Sequence, residues 1–174
     1  MNDRVTLYGK IGFEPENLTK KHKNQASWKK VAMVFFDGDI PQYYSWFLNR
    51  RYNLILNPPQ RQFHVSFIND SYKDLSINGA KSNQQIDIDW NNLKNKWDGK
   101  EISVVFDLNV RTDGFYWWLN VPHDERELLH SIRAEVGLGR PFFGLHGTIG
   151  RARDGIHEQH SEYIHNLIKI NLIK

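Results

Sequence analysis

The largely apolar stretch from Val5 to Phe13 predicts an opening strand, and Gly9 and Gly12 inside it suggest a bulge or a close approach by another backbone. Val31 to Phe36 is a second apolar stretch. It runs into Asp37-Gly38-Asp39, a turn, and then into a helical segment from near Pro41 to about Tyr52. Phe63, Val65 and Phe67 then alternate with His64 and Ser66, the pattern of a strand with one packed face. Asn69 to Gln85 is rich in Asn, Ser, Asp and Gly and predicts a surface excursion. A short helix follows to Trp97, ended by Asp98-Gly99. Ile102, Val104, Phe106 and Leu108 alternate as in a half-buried strand, and Asp113-Gly114 marks a hairpin turn whose flanking strands should pair antiparallel. Phe115 to Val121 is the next strand, Pro122 opens a helical segment to about Val136, and Gly137 and Gly139 close it. A last strand sets Leu145 and Ile149 behind His146 and Thr148. From Glu158 to Ile170, Tyr163, Ile164, Leu167 and Ile168 share one side of an amphipathic helix.

Two blocks in this pattern repeat the order strand, helix, strand, and nearly the same distance separates Pro41 from His64 as Pro122 from His146. Each block ends on a tripeptide of one chemical kind, His64-Val65-Ser66 and His146-Gly147-Thr148. One such tripeptide means little in a chain with 8 His. Two at matching places mean more. On a strand the imidazole and the hydroxyl project side by side, so each motif offers a proton-transfer group and a hydrogen-bond donor for phosphate. The expected arrangement is two related lobes presenting both histidines to a shared cleft, with the first lobe over roughly 14–85, the second over roughly 100–151 and a C-terminal helix over 157–174.

Composition narrows the chemistry. The 174 residues suffice for one compact bilobal domain, and 40% hydrophobic with 25% charged residues is ordinary for a soluble protein. No cysteine is present, which excludes disulfides, cysteine nucleophiles and thiolate metal sites. His157 and His160 stand at helical spacing, yet a third ligand is missing, so neither a metal nor any other cofactor is expected. Lys and Arg number 23 against 20 Asp and Glu, a net charge of +3. That suits a small phosphorylated ligand or a short RNA end, and falls short of the basic stripe a duplex-DNA binder carries. The densest basic stretch, Lys20-Lys21-His22-Lys23 with Lys29-Lys30, reads as a solvated loop. No apolar run is long enough to span a membrane, and Met1-Asn2-Asp3-Arg4 lacks a signal peptide's apolar region, so a cytoplasmic location is expected.

The paired H-x-[ST] motifs in this context resemble the two-histidine phosphoesterase superfamily, which includes RNA 2',3'-cyclic phosphodiesterases of the LigT type and phage anti-CBASS nucleases. The resemblance covers roughly Val31 to Arg151. His146-Gly147-Thr148-Ile149-Gly150-Arg151 matches the H-x-T-x-x-R form of the second motif in LigT-like members, and Ser66 replaces the commoner threonine of the first. The resemblance implies an α+β bilobal fold with two antiparallel sheets flanking a central cleft, helices outside, and both motifs on the cleft floor. It also implies metal-independent cleavage of a nucleotide phosphodiester. His64 and His146 would act as base and acid in an order left open, while Ser66 and Thr148 hold the phosphate oxygens.

The implied substrate is a cyclic di- or trinucleotide immune signal, cleaved in the host cytoplasm if the protein is viral. The alternatives are a terminal 2',3'-cyclic phosphate on RNA, or a sponge that binds a cyclic nucleotide without turnover. Candidate substrate contacts are Tyr8 and Trp118, as rings for a base to stack on, and Arg140 and Arg151, as partners for phosphate. Strict alternation would point Arg151 away from His146 unless the strand ends or bends at Gly150. His123 and His130 read as surface residues, and the oligomeric state is left open.

Overall fold

The computed structural model describes residues 3–15, 30–52, 54–59, 61–69, 90–141 and 144–152. Along them run β1 (Arg4–Phe13), β2 (Ala32–Phe36), α1 (Ile40–Tyr52), β3 (Leu56–Asn57), β4 (His64–Ile68), α2 (Trp90–Trp97), β5 (Glu101–Asp107), β6 (Arg111–Thr112), β7 (Tyr116–Asn120), α3 (Glu127–Ala134) and β8 (His146–Ala152). The fold is α+β. Among the described residues, the elements expected from periodicity stand within a residue or two of their predicted places, apart from the two-residue β3 and β6 and a division of the helix expected from Pro122. A single 3-10 turn, His123–Glu125, precedes α3, and α3 closes through Gly137 at φ 72, whose N–H bonds Ala134 O while Leu138 N–H bonds Arg133 O. The 69–85 excursion beyond Asn69, the C-terminal helix, His157, His160 and Lys20 to Lys29 lie outside the described residues.

The strands form one antiparallel sheet in the order β5-β1-β2-β4-β8-β7-β6, with β3 added beside β8. In place of two sheets there is one, curled and continuous, because β4 and β8 pair directly at Val65 and Gly147. The expected hairpin also differs. The Asp113-Gly114 turn joins β7 to β6, while β5 pairs along its length with β1 at the opposite edge. Asp107 redirects the chain there, since its Oδ1 accepts from both N–H and Nδ2 of Asn109, and Leu108 N–H bonds Asp3 O. A two-residue strand is enough for the turn.

One face of the sheet packs a core of Phe36, Phe63, Phe106, Trp117, Leu119 and Ile149 with residues of all three helices. Phe106 on β5 meets Phe36 and Phe63 at ring-centroid distances of 5.3 and 5.4 Å, which draws the edge strand over the centre. Gly147 makes this possible: a Cβ there would overlap the Phe63 ring. The glycine inside the second motif is thus a packing requirement. Gly9 and Gly12 on β1 serve a close approach, since a Cβ on the first would stand 2.6 Å from Phe35 O and one on the second 2.7 Å from the Phe35 ring.

Both motif strands carry a bulge immediately after the hydroxyl residue. Met33 pairs with Ser66 but Ala32 with Ile68, so Phe67 is the extra residue on β4; Trp118 pairs with Thr148 but Trp117 with Gly150, so Ile149 is the extra residue on β8. Both side chains are fully buried. Each bulged carbonyl is taken up by a helix from across the sheet. Ser45 Oγ on α1 donates to Ile149 O at 2.9 Å, and Arg133 Nη1 on α3 donates to Phe67 O at 2.5 Å while its Nε holds Gly139 O at 2.8 Å. Helix α1 follows β2 in sequence and braces β8, whereas α3 follows β7 and braces β4.

Candidate active site

The Val65–Gly147 pair is buried and forms the centre of the site. Extending that antiparallel register by one residue either way sets His64 beside Thr148 and Ser66 beside His146. All four face away from the core and are partly exposed. The two imidazoles lie on a diagonal of the sheet, where residues are about 7–8 Å apart and their Cβ atoms somewhat closer. A tetrahedral phosphorus between them can therefore meet a nitrogen on each side and a hydroxyl on each of the remaining corners.

The two rings are held in the same way. His64 Nδ1 bonds Gln62 O at 2.8 Å and His146 Nδ1 bonds Gly144 O at 2.6 Å, each carbonyl two residues earlier in the chain. A carbonyl only accepts, so Nδ1 carries a proton in both rings and the neutral form has its lone pair on Nε2. One backbone device thus sets both tautomers. Local sequence hides it, because any residue type supplies the carbonyl.

An aromatic ring from the next strand flanks each histidine. Phe35, the β2 partner of His64, stands 5.9 Å from it between ring centroids, and Trp118 on β7 stands 5.8 Å from His146. Trp118 Nε1 donates to Asn120 Oδ1 at 2.9 Å, which orients the indole beside the histidine that Asn120 pairs with. Phe35 was not among the sequence candidates. Its signal was weak, since every neighbour in its apolar run is equally hydrophobic, and only the register to His64 singles it out.

The electrostatic settings centre on His146. Burial pushes its pKa below the ordinary imidazole value; the bond to Gly144 O works against that, the Arg126 charge adds to the lowering, and Asp113 opposes it. The net direction is down, so His146 is neutral near pH 7. Arg126, which sequence reading missed, donates Nε to Val121 O at 2.6 Å and lays its two Nη atoms 3.8 Å from where a Gly144 Cβ would be. Burial lowers its own pKa without threatening its charge.

The bulge at Ile149 settles the direction of Arg151. With the extra residue removed from the alternation, Arg151 pairs with Tyr116, and Tyr116 shares a face with Trp118, Thr148 and His146. Its guanidinium lies 5.8 Å from the Tyr116 ring centroid. Tyr8 also points to this face and is 70% exposed, but β1 is two strands from β4, so it stands at the margin, about 10 Å away laterally. Lys10, paired with Phe35, is nearer. Arg140 stands after α3, where its charge acts on His130. Among the described residues no three of His, Asp and Glu gather as a metal site requires, and no helix is long and apolar enough to cross a membrane. Comparison with family models, with curated proteins and with solved structures finds no match to this chain.

Proposed function

We propose that the row formed by His64, Ser66, His146 and Thr148 cleaves a nucleotide phosphodiester by general acid–base catalysis, in the manner of the two-histidine phosphoesterases. The observation that carries this reading is the pairing of two H-x-[ST] strands about Val65 and Gly147, with both Nδ1 atoms tied to a backbone carbonyl. A core histidine has no need of a duplicate held by the same bond. The repeated bulge, brace and flanking ring favour a pseudo-duplicated fold for the same reason.

In the proposed reaction the ribose 2'-hydroxyl beside the scissile phosphate attacks phosphorus. His146, lowered in pKa by burial and by Arg126, takes the hydroxyl proton on Nε2. The P–O5' bond breaks as the new P–O2' bond forms, and His64 gives a proton to the departing 5'-oxygen. The product is a 2',3'-cyclic phosphate, which water opens with the two histidines exchanging roles. Ser66 and Thr148 donate to the non-bridging oxygens as negative charge grows there. Phe35 and Trp118 supply rings on either side for the bases, and Arg151 a cation at one end. The substrate is a cyclic di- or trinucleotide, small enough for one row of side chains to hold.

The test is a panel of cyclic dinucleotides, cyclic trinucleotides and RNA with a 2',3'-cyclic end, assayed in EDTA with product identification. Cleavage of a cyclic oligonucleotide that stops when its ribose is 2'-deoxy is the expected result. Cleavage of the deoxy analogue would make water the nucleophile. Turnover of the RNA end alone would change the substrate, and binding without product would make the protein a sponge.

A further inference from the structure

In the segment from Pro122 to Arg140, three of the four carboxylates are committed to cations outside it, and the fourth, Glu127, is exposed. Asp124 and Glu125 pair with Arg4 of β1 at 2.8 and 3.5 Å, and Glu135 pairs with Lys96 of α2 at 2.9 Å. Arg126 and Arg140 form no ion pair among the described residues. Arg126 uses only Nε, on Val121 O, so both of its Nη groups keep their donors for another partner.

Geometry brings the group together. His130 follows Arg126, the residue that caps α3, by one helical turn, and its N–H bonds Arg126 O at 3.0 Å, so the two side chains lie on one side at the start of the helix. Arg133 Nε draws Gly139 O back against the helix, and Arg140 comes with it. Arg126 in turn rests against Gly144, whose carbonyl holds the His146 ring. The charges acting on His130 are those of Arg133, Arg126, Arg140 and His123, while Asp113 is the carboxylate acting on His146, and an excess of positive charge beside a motif histidine is costly unless an anion joins it.

We propose that Arg126 and Arg140, with His130, form a second phosphate subsite beside His146. Its choice of ligand rests on the phosphodiester reading of the motif row: it would take a phosphate one link away from the one being cleaved. The Nη pair of Arg126 suits two phosphate oxygens at once. The state of His130 agrees, since burial and then the charges of Arg133, Arg126, Arg140 and His123 keep its pKa below the ordinary range. A dianion at this place would reverse that balance. The subsite would favour a substrate with at least two phosphates over a mononucleotide.

The experiment is an NMR titration of the histidine side chains of the full chain with inorganic phosphate. Phosphate should move the His130 signals saturably, and in the Arg126→Gln, Arg140→Gln double variant the midpoint should rise at least about tenfold. Because Arg126 also holds Val121 O, the exposed Arg140→Gln variant alone guards against misfolding and should raise the midpoint several-fold. A second arm compares adenosine 2',3'-cyclic phosphate with its 5'-phosphorylated form. The added phosphate should tighten binding about tenfold in the parent chain, and that ratio should collapse toward one in the variants. A His130 signal indifferent to phosphate, or a ratio unaltered by the substitutions, overturns the subsite. Failure of the catalytic reading looks different: no probe is cut and His64 and His146 ignore phosphate, while the His130 response persists.

Discussion

On β4 the hydroxyl beyond the histidine is Ser66, the flanking ring is Phe35 and the brace behind the bulge is the guanidinium of Arg133. On β8 they are Thr148, Trp118 and the hydroxyl of Ser45. The two strands meet the same geometric demands with different chemistry. A bulge leaves one carbonyl outside the ladder, and any buried donor can satisfy it; Ser45 does so at little desolvation cost, whereas Arg133, 1% exposed, brings a charge into the core and ties two segments together. After the bulges the strands part company. Arg151 stands three residues beyond Thr148 and reaches the Tyr116 ring, while Asn69 stands three beyond Ser66 with its buried Oδ1 unpartnered among the described residues. The cationic end of the row belongs to β8.

The comparison breaks most sharply at the histidines. If both strands take part in proton transfer, His64→Ala and His146→Ala each lower kcat by about 10²–10⁴-fold, with far-UV circular dichroism and urea midpoint near those of the parent. One variant with near-parental turnover would reduce the site to a single strand. Ser66→Ala and Thr148→Ala probe the next level, each expected to cost about 10²–10³-fold in kcat and less in KM, since the donors meet charge that grows in the transition state. Equal losses would mean the two hydroxyls share that charge evenly.

The braces differ in stability rather than in rate. Ser45→Ala removes one hydrogen bond and should lower the unfolding free energy by about 1–3 kcal/mol. Arg133→Met strands both Phe67 O and Gly139 O, so urea denaturation should show a loss of about 2–5 kcal/mol, larger than for Ser45→Ala. The reverse order would mean that the buried charge offsets what its bonds contribute.

The smallest effect concerns pH. His146 and His130 have folded-state pKa values below those of the unfolded chain, so the unfolded state binds more protons in the window beneath the ordinary imidazole value. Stability is therefore present above that value and is lost as pH falls through it. Urea midpoints measured from about pH 7.5 to about pH 5.5 should fall in the parent and fall less in His146→Asn. In the rate profile, Arg126→Gln should move the acid limb toward higher pH, because the charge that helps hold His146 low is gone.

Much of this was legible in the chain. Helix α1 behind its Asp-Gly-Asp turn, α2 before Asp98-Gly99, and the alternation that sets His64 and Ser66 opposite Phe63 and Val65 follow from contacts among residues close in sequence. Leu119 and Trp117 were separable from Trp118 by parity alone. Even Gly137 and Gly114 announced their positive φ. What these features share is range: periodicity, turn residues and caps act over a few positions, so the order of residues was enough to place the elements and to say which face of each motif strand turns from the core.

Pairing and packing between distant segments set the rest. That β4 lies against β8, that β5 crosses to the edge beyond β1, and that α1 and α3 brace each other's strands are choices among partners far apart in the chain. Phe35 became a neighbour of His64 through register, and Arg126 a neighbour of His146 through its guanidinium resting against Gly144. Arg151 is the clearest instance. Alternation alone turns it to the core side, and a single extra residue, Ile149, whose carbonyl finds the Ser45 hydroxyl only once α1 has docked, returns it to the face of the histidines.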